Sequence, residues 1–172
     1  YNDIDFYSEF TQLYNTTATA NIINIYFVRD LMFGGSPAAG VAPTPGGRDY
    51  ILMRGNTALG NITHEAGHYF GLLHTHGVSN TERSKEKVDG SNCSEEGDFF
   101  CDTPADPNQL NVTLANCIFT GTWGDVNNQV YSPDVSNHMS YAPANCRTRF
   151  SNEQTAFMYW VYHEYRSYLQ CS

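Results

Sequence analysis

Positive charge is scarce in this chain. Nine lysines and arginines stand against eighteen aspartates and glutamates, a formal charge of −9 over 172 residues. That balance excludes the basic footprint a nucleic-acid-binding domain needs. Charge of either sign is thin at 16%, whereas 41% of residues are hydrophobic and 14% aromatic, so the chain folds rather than staying disordered. No apolar run approaches the roughly 18 residues of a membrane span. Cysteine is missing from the whole N-terminal half; the five present are Cys93, Cys101, Cys117, Cys146 and Cys171. None of them forms C-x-x-C, which argues against a thiolate zinc site and for disulfides in an oxidising, extracellular compartment. The odd number leaves one thiol over. No repeat and no linker divides the chain, so residues 1–172 read as a single domain of ordinary size. No signal peptide is visible and the chain opens at Tyr1, so we expect a mature or trimmed form whose leader has been removed.

What is present is concentrated in eleven residues, His64-Glu65-Ala66-Gly67-His68-Tyr69-Phe70-Gly71-Leu72-Leu73-His74. They spell H-E-x-x-H-x-x-G-x-x-H, the extended zinc signature of the metzincin metallopeptidases. Positions i and i+4 of a helix share a face, so His64 and His68 can grip one ion. Gly71 has no Cβ and accepts positive φ, so the backbone can turn there and bring His74 round as third ligand. Three protein ligands leave a position open for water, the mark of a catalytic rather than a structural zinc site. Five fixed residues, three of them histidine, should arise by accident in roughly one chain of this length in 10^5.

Around this motif the periodicity predicts a short amphipathic helix over Asp5–Tyr14, with Phe6, Phe10, Leu13 and Tyr14 at near-helical spacing. Residues 21–28 and 49–54, rich in β-branched, aromatic and aliphatic side chains, read as strands. Residues 34–47, with five glycines and three prolines, read as a long loop. The zinc helix is expected to start near Asn56 or Thr57 and to stop at Gly71. Residues 75–137 show no period and need pins such as disulfides or calcium. Ser151 with Gln154 forms a capping box that opens a terminal helix over about 151–169.

Further segments carry a closer resemblance. Ser136-Asn137-His138-Met139-Ser140-Tyr141 resembles a metzincin Met-turn. Together with His74-Thr75, the block from Gly97 to Ala105 and the block from Arg149 to Gln154, it makes the chain similar to pappalysin-type (cytophagalysin) metallopeptidases, from about residue 50 to 169. Residues 1–49 match only loosely. The resemblance implies an α/β (α+β) metzincin-type fold: a twisted mixed sheet over an active-site helix, then an irregular C-terminal part closed by a helix. Family members carry more chain ahead of the zinc helix, so the N-terminal part of the domain is expected to be truncated. Met139 is implied as the hydrophobic floor beneath the metal and Tyr141 as a hydrogen-bond donor to the oxyanion. Asp98 and Asp102 are implied as calcium ligands in a flexible oxygen-rich loop. The family pattern pairs Cys117 with Cys146; with its other partner cysteine lacking here, Cys93 is expected to pair with Cys101, leaving Cys171 over. Arginine-preferring relatives carry an acidic residue before the cysteine that follows the Met-turn, whereas this chain has Ala142-Pro143-Ala144-Asn145.

The expected activity is that of a secreted, monomeric zinc endopeptidase acting on protein or peptide substrates. His64, His68 and His74 would hold zinc, and Glu65 would activate the zinc-bound water and hand its proton to the leaving amine.

Overall fold

The computed structural model describes residues 3–4, 9–108 and 114–169. The chain divides into two compact units, residues 1–71 with 160–172, and residues 72–159.

The first unit holds, in chain order, β1 (Asp3–Ile4), α1 (Glu9–Thr17), β2 (Asn24–Val28), β3 (Asp30–Phe33), β4 (Ser36–Pro37), β5 (Gly40–Val41), β6 (Tyr50–Arg54) and α2 (Gly60–Tyr69). Strand β6 is the centre of a mixed sheet: β2 pairs with it in parallel, from Asn24 opposite Tyr50 to Val28 opposite Arg54, and β5 pairs antiparallel. A smaller sheet runs β1, β3, β4. Side chains alternate across a strand, and β6 uses both faces. Tyr50 and Leu52 face a cluster with Phe10, Val28 and Leu31, while Ile51 and Met53 pack with Tyr69 and, around it, Ile62 and Ala66 of α2. A strand covered on both faces reads as a continuous apolar run, as Tyr50-Ile51-Leu52-Met53 does. Burying side chains of the size of Ile51 and Met53 contributes about 1.5–3 kcal/mol each, and this seats α2 against the sheet.

Helix α1 runs further than the periodicity predicts, to Thr17, and its expected beginning at residues 5–8 lies outside the described residues. Strand β2 starts at Asn24 rather than residue 21, because Asn21 takes a positive φ of 62°. The Asn24 side chain then closes that turn, accepting from Thr19 N and donating to the carbonyls of Thr19 and Asp49. The glycine- and proline-rich stretch is not wholly loop: β4 and β5 lie inside it. Two-residue strands show no period of their own, and they exist here because β3 and β6 offer free edges. Helix α2 also begins later than expected, at Gly60, with Leu59 rather than a polar residue at its cap. The two candidate caps are engaged elsewhere: Thr57 Oγ1 donates to Ala39 O, and Asn56 Oδ1 accepts from Arg54 Nε. A fully buried Arg166 pairs with Asp49 at 2.7 Å, donates to Gly47 O and lies 4.0 Å over the Tyr69 ring. Those partners satisfy the charge that burial would otherwise strand.

The second unit is mostly irregular, as the sequence between 75 and 137 predicts. Among its described residues, β7 (Leu114–Ala115) and β8 (Ile118–Phe119) form a small hairpin. Two disulfides pin it: Cys93–Cys101, with Cα atoms 5.1 Å apart, and Cys117–Cys146, at 5.3 Å. Cys171 lies outside the described residues. Asp125 acts as a further pin, accepting from the backbone N–H groups of Val88, Asn127 and Gln129. The capping box forms reciprocally: Ser151 N donates to Gln154 Oε1 and Gln154 N to Ser151 Oγ. It opens α3 (Asn152–Val161), which loosens into a π-helical turn over Tyr162–Arg166.

Candidate metal centre

Helix α2 places His64 and His68 one turn apart, with ring centroids 4.7 Å from each other. The helix then ends: Phe70 N and Gly71 N make their last bonds to Ala66 O and His68 O, and Gly71 takes φ 88°. That left-handed conformation is what glycine accepts at little cost, and it stops the helix before His74. Within this eleven-residue stretch, one ligand atom each of His64, His68 and His74 lie within 4.8 Å of one another. Three imidazole nitrogens so convergent fit a borderline-soft ion such as zinc. Glu65, the residue after the first histidine, is only 6% exposed.

The ring of His74 stacks on His76, 5.0 Å away and inclined by 11°, and Tyr141 packs against both rings at 4.4 and 4.6 Å. Tyr141 donates its hydroxyl to Asn80 Oδ1 at 2.7 Å, and His76 Nε2 lies 3.4 Å from the same oxygen. Burial holds the His76 ring below the usual histidine range. Met139 is fully buried, its N–H bonded to Asn137 Oδ1 and its carbonyl to Thr75 N. The turn carrying Met139 and Tyr141 is thereby tied to the residue that follows His74. Asn137 Nδ2 donates to Gln154 Oε1, and Gln154 Nε2 donates to Asp98 Oδ2. One chain of side-chain bonds thus joins the turn carrying Met139, the cap of α3 and the Gly97–Ala105 block.

Asp98 and Asp102 have different surroundings. Asp98 is buried, accepts from Thr103 Oγ1 and Phe100 N, and burial lifts its carboxyl to about 6. Asp102 is exposed and accepts from Glu153 N at 2.8 Å, which caps the first turn of α3. Two more carboxylates escaped the sequence reading. Glu86 is buried, its Oε2 has no hydrogen-bond partner, and burial together with Asp98, Asp106 and Glu96 lifts it to about 8. Asp106 is buried and accepts from Thr75 Oγ1 at 2.6 Å. Asp106 follows the D-T-P-A run directly and could have been suspected; Glu86, between two lysines in an aperiodic stretch, gave no signal.

Comparison with known proteins bears on all of this. A family model for peptidase M43, described as pregnancy-associated plasma protein-A, matches residues 14–162. The chain is 28% identical over 165 residues to an extracellular metalloprotease of Colletotrichum graminicola, covering 84% of this chain and 50% of the relative. It is 31% identical over 112 residues to an extracellular metalloprotease of Aspergillus fumigatus, covering 64% of this chain and 28% of the relative. The chain thus spans half or less of the length of these relatives.

Proposed function

This chain belongs to the peptidase M43 family, and on that premise we propose that it is a zinc-dependent endopeptidase hydrolysing internal peptide bonds of protein substrates. The observation that carries the proposal is the convergence of three imidazoles next to a buried glutamate. A zinc ion held by His64, His68 and His74 would lower the pKa of a bound water towards neutrality and polarise the scissile carbonyl. Glu65 takes the proton of the attacking water and returns it to the leaving nitrogen, one carboxylate serving both half-steps. Its burial supports this role, because it keeps the proton transfer away from bulk water. Tyr141 turns its hydroxyl to the developing oxyanion, and its packing on His74 supports that assignment. Met139 supplies an apolar support under the metal. Residues 1–172 act as one metzincin-like catalytic domain.

Calcium is the second ion we assign, to the block carrying Asp98 and Asp102. The partnerless buried Oε2 of Glu86, close enough to Gly97 that no side chain would fit there, supports a cation in this neighbourhood. Hard carboxylate oxygens in an irregular loop suit that ion. Secretion is supported by the two disulfides and by the description of the relatives as extracellular. No helix of the described residues is long and apolar enough to cross a membrane. The test is zinc content by atomic absorption together with casein cleavage, with and without a chelator. We expect about one zinc per chain and cleavage that the chelator abolishes; cleavage that survives complete zinc removal would refute the assignment.

A further inference from the structure

We infer that Gly40 is a positioning residue for Glu65, holding the carboxylate in place by having no side chain of its own. The inference rests on the assignment of Glu65 as the proton-transferring group. Strand β5 runs along β6 with Gly40 opposite Met53. A Cβ built on Gly40 falls 2.5 Å from Glu65 Cγ and 2.7 Å from both Cδ and Oε1. Carbon atoms in contact sit about 3.5–4.0 Å apart, so a single methyl group would overlap the whole end of the glutamate.

Conformation does not account for glycine here. Gly40 is absent from the residues with positive φ, so alanine could adopt its backbone without strain. Nor does pairing demand it: Val41, its neighbour in the same strand, carries a branched side chain that packs against the aromatic cluster. Glycine weakens a strand, so its presence inside one calls for a close approach by something else. The group that approaches is Glu65. Because Glu65 is buried, a new methyl group cannot simply send it into solvent. The backbone of β5 is therefore the wall against which the carboxylate is set, and the direction of its oxygens depends on that wall staying bare.

The experiment is Gly40→Ala in the native chain and in a Glu65→Ala background, with zinc content, kcat, KM and Tm measured for all four proteins. Gly40→Ala alone should keep its zinc and its KM, and lose about 10^2 in kcat, the usual penalty for about 1 Å of misplacement of a reacting group. Its Tm should drop by roughly 5 °C, as for an overpacked site in a chain of this size. With Glu65→Ala the space is vacated, and the same substitution should leave Tm within about 1 °C, a coupling that independent sites do not show. Should Gly40→Ala fail to fold, a folded double variant supports the contact and an unfolded one overturns it. Native kcat in Gly40→Ala, or an equal Tm loss in both backgrounds, overturns the inference. Full activity in Glu65→Ala alone would instead remove the assignment of Glu65, while the Tm comparison still reports on the contact.

Discussion

Tyr141 rests its ring 4.4 Å from that of His74 and gives its hydroxyl to Asn80 Oδ1 at 2.7 Å. The ring and the hydroxyl therefore do separable things. Tyr141→Phe should keep the packing on His74 and the zinc content while losing the donor. A single oxyanion donor is worth about 10^2–10^3 in kcat, and since zinc shares the task we expect the lower end, about 10^2. Steady-state kinetics beside zinc stoichiometry will decide; unchanged kcat would remove Tyr141 from the mechanism.

The disulfides close loops of unequal length, with sequence separations of 29 for Cys117–Cys146 and 8 for Cys93–Cys101. In the chain-entropy picture the longer loop contributes roughly 3–4 kcal/mol and the shorter about 2.5 kcal/mol. Replacing Cys117 and Cys146 by serine should lower Tm by roughly 10 °C, and replacing Cys93 and Cys101 by less. Non-reducing peptide mapping checks the pairing itself, and a map joining Cys117 to any other cysteine would refute it.

Much of the candidate site was open to reading because metal binding would constrain both residue type and spacing. His64 and His68 need one helical turn between them, and His74 needs a residue that can turn the chain, which Gly71 does at φ 88°. The Ser151–Gln154 box was legible for a like reason, since a helix start leaves N–H groups that must find acceptors. Features set by tertiary contact were not legible. Strand β5 exists only through its pairing with β6, and nothing in Gly40-Val41 announces it. Asn56 and Thr57 looked like helix caps, but their side chains serve Arg54 and Ala39. Glu86 became notable only once folding had buried it beside Asp98 and Asp106.

Those buried carboxylates set a pH dependence. Glu86 is lifted from 4.5 to about 8, by burial first and then by Asp98, Asp106 and Glu96. A group whose folded pKa exceeds its unfolded one binds more protons in the native state, so stability falls as pH rises between the two values. Chelator-treated protein should therefore lose Tm steadily from about pH 4.5 to pH 8. Glu86→Gln should flatten that slope, and added calcium should restore Tm most strongly near pH 8. Melting curves across this range, with and without calcium, provide the check. If calcium changes neither Tm nor autolysis at any pH, the calcium assignment falls.

Specificity should depart from that of arginine-preferring relatives. The stretch Ala142-Pro143-Ala144-Asn145 ahead of Cys146 offers no carboxylate, and Ala142 itself is buried. A basic P1′ side chain would find no ion-pair partner there, so cleavage before arginine should be weak or mixed with other residues. A peptide library dominated by cleavage before arginine would contradict this.

The deciding comparison separates the base from the ligands. Glu65 follows His64 in the chain and is buried, and the donor atoms that converge are those of His64, His68 and His74, so Glu65→Ala should leave zinc binding intact. What it removes is the proton carrier in both directions. General acid–base catalysis is worth about 10^2–10^4 in rate, and a group used twice should lie at or above the upper end. His68→Ala takes away a ligand and should lower zinc content and activity together. Measuring zinc stoichiometry and peptidase rate for the native chain and both variants distinguishes the roles. If Glu65→Ala kept both its zinc and its full rate, the mechanism would be wrong. If the native chain bound zinc and yet cleaved nothing across a broad peptide library, the fold would be serving as a zinc-bearing binding module instead.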